Sequence, residues 1–241
     1  MQLFHGDCID VMKTFPDASI DLIFADLPYG TTYAGWDSVI PSAALWEAYG
    51  RLIKPKGAIL LTASQPFTSA LVMGKPEWFR CEWIWDKVNG ANFANANRQP
   101  LKTHESVLVF GPTGTNYYPI KVPGKPNHVQ GKNAKANVSE TRLINERVAD
   151  DKSGLKFPKS IQTFAKHSSQ CGLHPTQKPV DMLEYFIKSY SLEGDTVLDN
   201  TMGSGSTGAA CLATGREFIG IEKEKKYFDI ASERLNGITL P

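Results

Sequence analysis

The tetrapeptide Asp26-Leu27-Pro28-Tyr29 holds the residue types needed to work on an aromatic amino group. Such a nitrogen is a poor nucleophile because its lone pair is delocalised into the ring. Acceptors placed on its N–H bonds favour a pyramidal nitrogen, and preorganised groups of this kind act most strongly where charge develops. The Asp26 carboxylate and a backbone carbonyl at Leu27 or Pro28 can be those acceptors. Tyr29 can stack on a base rotated out of a duplex, and Pro28 would stiffen the loop that aims them. The bland alternative is a strand-ending turn with a half-buried tyrosine.

A second cluster lies far along the chain. Asp199-Asn200-Thr201-Met202-Gly203-Ser204-Gly205-Ser206-Thr207-Gly208 stands between an apolar run and a helical pattern, the context that makes a glycine-rich turn informative. Glycines there let the backbone turn sharply and approach a nucleoside-sized ligand with no Cβ in the way. Glu222 ends the next apolar run, 23 positions after Asp199, where a carboxylate can accept hydrogen bonds from both ribose hydroxyls. Gly203, Gly205 and Gly208 also match a dinucleotide-binding spacing, so this cluster by itself leaves a nicotinamide-dependent oxidoreductase open.

For the two clusters to share a site, the elements before them must lie side by side. Ile20 to Ala25 reads as a buried strand ending at Asp26; helix-period apolar residues follow at Leu45, Trp46, Tyr49, Leu52 and Ile53, and Gly57 to Thr62 reads as another strand. Strand, helix and strand in that order predict a parallel sheet with crossover helices, whose carboxyl strand ends form the ligand crevice. Thr196 to Leu198 predicts a strand ending at Asp199, Ser206 to Thr214 a helix capped by Gly215, and Phe218 to Ile221 a strand ending at Glu222. Met182, Leu183, Phe186, Ile187 and Tyr190 share one helical face, as do Tyr227, Ala231 and Leu235 in a last helix ending near Gly237. Further strands are expected at Cys81 to Trp85 and Ser106 to Phe110, with one of Trp83 and Trp85 in the core.

Between these regular halves, Gly111 to about Gly172 is rich in Gly, Pro, Asn and Lys, so it reads as a loop-rich inserted lobe with one short helix at Thr141 to Ala149. Thr113 to Leu173 carries ten Lys or Arg against four Asp or Glu, or +6, while the rest carries 16 against 21, or −5, and the two make the net charge of +1. That asymmetry fits a nucleic-acid contact surface and also a solvated lysine-rich loop. Residues 1–112 with 174–241 are therefore expected to form the catalytic and cofactor-binding domain, and 113–173 the inserted basic segment.

The 241 residues, 41% of them hydrophobic, can bury a sizeable core. Met1 to Asp7 lacks the basic start and apolar run of a signal peptide, and no apolar stretch approaches bilayer-spanning length, so a soluble intracellular protein is expected. Cys8, Cys81, Cys171 and Cys211 are far apart, with no CxxC pair and no histidine at ligand spacing. Free thiols and no metal are the expectation.

Asp26-Leu27-Pro28-Tyr29-Gly30 resembles the Asp-Pro-Pro-Tyr motif of the amino-group DNA methyltransferases, and Asp199 to Gly208 with Glu222 resembles their cofactor-binding motifs. Leu27 replaces the usual proline and leaves both acceptors and the aromatic ring in place. The order of catalytic tetrapeptide, basic variable segment and cofactor turn is that of the permuted β class. The resemblance covers Leu3 to Arg98 and His174 to Leu235 and does not reach inside Thr113 to Leu173. It implies a Rossmann-like α/β fold: a mostly parallel seven-stranded sheet with helices on both faces, and an antiparallel edge hairpin among Cys81 to Trp85 and Ser106 to Phe110. It also implies S-adenosylmethionine as cofactor, double-stranded DNA as partner, and a bacterial cytoplasmic setting, viral origin included. Asp26 favours adenine N6 as the methyl acceptor, because family members acting on cytosine N4 more often begin the tetrapeptide with Ser. Cytosine N4 is the alternative within the class, an RNA or protein amide a more distant target, and an idle DNA-binding protein on the same scaffold a further option. Ring-carbon cytosine methylation does not fit, since no Pro-Cys dipeptide occurs.

Residue by residue, the resemblance implies more. Gly6-Asp7-Cys8 is similar to the segment that reads the cofactor's adenine, with Asp7 accepting from its amino group and Cys8 beside it. His174-Pro175-Thr176-Gln177-Lys178-Pro179 is similar to the segment before the cofactor turn, which implies Thr176 and Lys178 at the methionine end. The expected cofactor set is then Asp7, Cys8, Asp26, Thr176, Lys178, Asp199, Asn200, Gly203, Ser204, Gly205, Ser206 and Glu222. Arg98, in a run with Asn92, Asn95 and Asn97, is expected to reach a phosphate or the vacated base position, and Lys132, Lys135 and Lys156 to contact phosphates. A homodimer is common in that class, and no residue pattern selects an interface.

Overall fold

The computed structural model describes residues 1–30, 38–124, 154–165 and 177–237. It divides into two compact units, Met1–Tyr118 with Ser160–Pro241, and Pro119–Lys159. The division falls inside the 113–173 stretch expected for the lobe, because Ser160 onward belongs with the sheet.

In the larger unit the chain forms β1 (Gln2–His5), α1 (Cys8–Met12), β2 (Ile20–Ala25), α2 (Ser42–Leu52), β3 (Ile53–Ala63), α3 (Phe67–Gly74), β4 (Phe79–Ala91) and β5 (Lys102–Phe110). The smaller unit contributes β6 (Val122–Pro123) and β7 (Leu155–Lys156), which pair antiparallel. The larger unit then resumes with β8 (Ile161–Thr163), α4 (Val180–Tyr190), β9 (Thr196–Asp199), α5 (Ser206–Ala213), β10 (Glu217–Glu222) and α6 (Lys225–Asn236).

Among the described residues the main sheet has eight strands, in the order β1-β10-β9-β2-β3-β5-β4-β8. From β1 to β3 neighbours are parallel; β5 runs antiparallel to β3 and β4, which makes the expected hairpin, and β8 is parallel to β4. The sheet therefore has one strand more than the seven expected. The addition is β8, three residues from the supposed lobe that satisfy the open backbone edge of β4. The indole N–H of Trp85 donates to the carbonyl of Phe164 (2.9 Å) and helps hold it there.

Consecutive residues of β2 serve opposite faces. Leu22 and Phe24 pack with Met182 and Phe186 of α4, Ala210 of α5 and Leu235 of α6; Ile23 and Ala25 pack with Met12 of α1, Trp46 and Tyr49 of α2 and Leu71 of α3. Helices cover both faces, so β2 reads as an unbroken apolar run rather than an alternation. Both Trp83 and Trp85 are buried, where one was expected, because residues two apart on a strand share a face.

Cys8, Cys81 and Cys211 are free thiols. No helix among the described residues is long and apolar enough to cross a membrane, and no group of three or more His, Cys, Asp or Glu among them could hold a metal ion. The expected helix at Thr141 to Ala149, together with Cys171, Thr176, Lys132 and Lys135, lies outside the described residues.

Candidate active site

Sheet order reverses direction between β2 and β9, and a crevice opens at the carboxyl ends of strands at such a switch point. A cavity of about 660 Å³ occupies it, lined by Asp7 and Cys8 after β1, Asp26 to Tyr29 after β2, Asp199 to Ser204 from the end of β9 onward and Glu222 at the end of β10. Lys178, Ser206 and Thr207 complete the wall nearest these strand tips. The two sequence clusters thus share one site.

Asp26 is oriented from several sides. Its Oδ1 accepts from the Thr62 hydroxyl and, at 3.1 Å, from the Tyr29 hydroxyl. Its Oδ2 accepts from the Lys178 ammonium, and its backbone carbonyl accepts from the Thr201 hydroxyl (3.1 Å). Behind Lys178 the charges alternate: its Nζ is 3.9 Å from Glu105 Oε2, and Glu105 Oε1 is 3.0 Å from Lys87 Nζ. Burial disfavours the Lys178 ammonium, yet the carboxylates of Asp26 and Glu105 outweigh it and raise its pKa. The Tyr29 ring stacks on Phe67 at 5.0 Å between centroids, and burial beside Asp26 holds its hydroxyl well above the usual range.

Backbone geometry shapes the opposite wall. Gly203 (φ 52°) and Gly205 (φ 76°) adopt the left-handed region that other residues avoid. A Cβ at Gly208 would lie 2.7 Å from Leu235 and Phe218, so glycine also lets α5 close on β10 and α6. Glu222 clasps the turn, accepting from the Gly203 N–H (2.9 Å) and the Glu224 N–H (2.8 Å); burial nonetheless raises its pKa. Burial, partly offset by Thr207 and the Thr201 N–H, pushes the Asp199 carboxyl up to about 7. Tyr49, fully buried on α2, donates to Asn200 Oδ1 (2.7 Å) and fixes the cavity floor from behind. Asp7 caps α1 through the Ile9 N–H (3.0 Å), and Cys8 is a buried thiol whose pKa burial raises.

Of the residues expected in the site, Asp7, Cys8, Asp26, Leu27, Pro28, Tyr29, Lys178, Asp199, Asn200, Gly203, Ser204, Ser206 and Glu222 line the cavity. Gly205 lies behind it, facing Ala231 and Leu235 at the start of α5. Arg98 is exposed on the β4–β5 connection away from the lining, and Lys156 is half-buried in β7 of the smaller unit. Sequence reasoning did not single out Thr62, Thr201, Lys87, Glu105 or Phe67. For Thr62 a signal existed: it ends the expected strand Gly57 to Thr62 as Asp26 follows its own, and the register Ala25↔Leu61 sets the two side by side.

Comparison with known proteins adds independent findings. The DNA methylase family, of N6 and N4 type, matches residues 20–233. The type II methyltransferase M.HinfI of Haemophilus influenzae is 30% identical over 268 residues, covering 98% of this chain and 68% of its own. The DNA adenine methyltransferase YhdJ of Escherichia coli (strain K12) is 29% identical over 251 residues, covering 97% of this chain and 82% of its own. The crystal structure of an M1.HpyAVI–SAM complex is similar with a TM-score of 0.67 at 26% identity, covering 98% of each chain.

Proposed function

The chain belongs to the N6/N4 DNA methylase family, and from that premise we infer that the crevice around Asp26 is where a DNA adenine receives its methyl group. The protein is an S-adenosylmethionine-dependent DNA methyltransferase acting on adenine N6. Family membership removes the nicotinamide alternative that the glycine spacing left open.

The cavity's residues fit the cofactor. Glu222 stands at a strand tip with its carboxylate already oriented by two backbone N–H groups, as acceptance from ribose hydroxyls requires. Gly203 leaves the turn without a side chain, and Asp199, Asn200, Ser204 and Ser206 continue the polar wall. Asp7 would accept from the adenine amino group, with Cys8 beside it, and Thr176 and Lys178 would serve the methionine end. Bound S-adenosylmethionine supplies a methyl group on a sulfonium centre.

One observation carries the catalytic assignment: a carboxylate fixed by Thr62 and Lys178 opens onto the cavity beside an aromatic ring. The flipped base would stack against Tyr29, its amino N–H taking the place of the Tyr29 hydroxyl at Asp26 Oδ1. A backbone carbonyl at Leu27 or Pro28 would accept the other N–H, which draws the nitrogen lone pair out of ring conjugation. Arg98, Lys132, Lys135 and Lys156 would contact phosphates within the basic segment and hairpin; neutralising the three lysines should flatten the salt dependence of DNA affinity, and an unchanged slope would remove them from the interface. A cytoplasmic homodimer belongs to the same reading, tested by sedimentation with and without DNA.

The decisive assay incubates the protein with labelled S-adenosylmethionine and unmethylated duplex DNA, beside Asp26→Ala, and identifies the methylated nucleoside. N6-methyladenine should form, with the variant slower by roughly 10³-fold yet still binding cofactor. N4-methylcytosine would change the target, and an undiminished Asp26→Ala rate would overturn the catalytic assignment.

A further inference from the structure

The β4–β5 hairpin continues past the rim of the crevice. Ala63, the last residue of β3, pairs with Ser106, whereas the hairpin goes on through Asp86↔His104 and Ala91↔Lys102. That overhang leaves the sheet at the same end as Asp26, since Thr62 beside it reaches the Asp26 carboxylate, and Trp85 and Glu105 at its base line the cavity.

At the tip the sequence changes character. From Lys87 to His104 there is no Asp or Glu, while Arg98 and Lys102 are present. Phe93 is 69% exposed, on a single 3-10 turn, Phe93–Asn95, entered through Asn92 in the left-handed region (φ 70°). The turn is braced rather than slack: Asn95 Nδ2 donates to Asn92 Oδ1 (2.9 Å), and the N–H groups of Arg98 and Gln99 donate to the Asn95 carbonyl (2.8 and 3.1 Å). An apolar ring is thus held out in water by a hydrogen-bonded tip whose own sequence, Lys87 to His104, has no acidic residue.

Duplex DNA is the occupant that this combination fits. Its phosphates complement the acid-free tip, and extruding a base leaves a gap in the stack that an apolar side chain can enter. We propose that Phe93 is the wedge that enters the duplex where the target adenine leaves it, with Arg98 on a flanking phosphate. The proposal rests on the methyltransferase reading and adds a residue outside the cavity to it.

The test compares wild type, Phe93→Ala and Phe93→Trp on two duplexes carrying an adenine site that the wild type methylates. One duplex is fully paired; the other has an abasic position opposite the target, so the stack is already broken. Phe93→Ala should lose roughly 10-fold or more in kcat/KM on the paired duplex and recover to near wild type on the abasic one. Phe93→Trp should stay active on both, and DNA should quench its fluorescence more than that of the wild type, whose five tryptophans give the baseline. Full activity of Phe93→Ala on the paired duplex would overturn the proposal, and so would an equal loss on both duplexes, which means general binding or a protein partner. A wild type that methylates no adenine site at all would instead overturn the underlying methyltransferase reading.

Discussion

The two walls of the crevice are built on different principles. Most of the wall proposed to hold the cofactor comes from one continuous stretch, Asp199 to Glu222, shaped by backbone geometry and closed by a carboxylate that accepts the Gly203 N–H of the turn. The wall proposed as catalytic is assembled from a distance: Asp26 is held by Thr62, Lys178 and Thr201, which lie 36, 152 and 175 positions away. Local turns specify one wall, and the tertiary fold specifies the other. Lys178 stands where the two meet, assigned by resemblance to the cofactor but bonded to Asp26.

Substituting Lys178 breaks the comparison most severely. Lys178→Met removes the ammonium that pairs with Asp26 and Glu105; kcat should fall by roughly 10²-fold, far more than the loss of cofactor affinity from its share of the methionine end. Stopped-flow transfer and calorimetric binding separate the two, and a lost affinity with unchanged kcat would return Lys178 to the cofactor wall. Glu222→Ala should show the opposite pattern. It removes charge-assisted acceptors worth about 1.5–3 kcal/mol, so the cofactor Kd should rise roughly tenfold or more with kcat preserved at saturation.

The smallest effect concerns Asp199, which the fold buries and pushes up to about 7. The folded protein holds this proton more tightly than the unfolded chain does. Stability from this group is therefore complete below about pH 4 and is lost as pH rises through about 7. Asp199→Asn should flatten that decline and raise the Tm of the cofactor-free protein at pH 8 by roughly 2–4 °C. A thermal series from pH 4 to 8 on both proteins checks it, and parallel curves would exclude Asp199 as the source.

The same contrast explains what the sequence disclosed. Asp26, Asp199 and Glu222 were legible because each ends an apolar run, and strand ends converge in a parallel sheet. Gly203 and Gly205 were legible because left-handed backbone leaves a residue-type mark. Glu105 and Lys87 left none: Glu105 meets Lys178, and Lys87 meets Glu105, only because β5 and β4 extend beyond β3, and strand length carries no periodic signal. β8 was hidden for a related reason, since three residues cannot express a period of two and their pairing is set by the edge of β4.

The position of β2 between β3 and β9 has a further consequence, for the order in which the protein comes into being. Ile23 pairs on one side with Ile59, made soon after it, and on the other with Leu198, made far later; Phe4 waits longer still for Ile221. Such non-local pairing slows folding and leaves an apolar edge exposed in the nascent chain. During translation Asp26 emerges early, but the crevice that could load a methyl donor cannot close until the ribosome has passed Glu222.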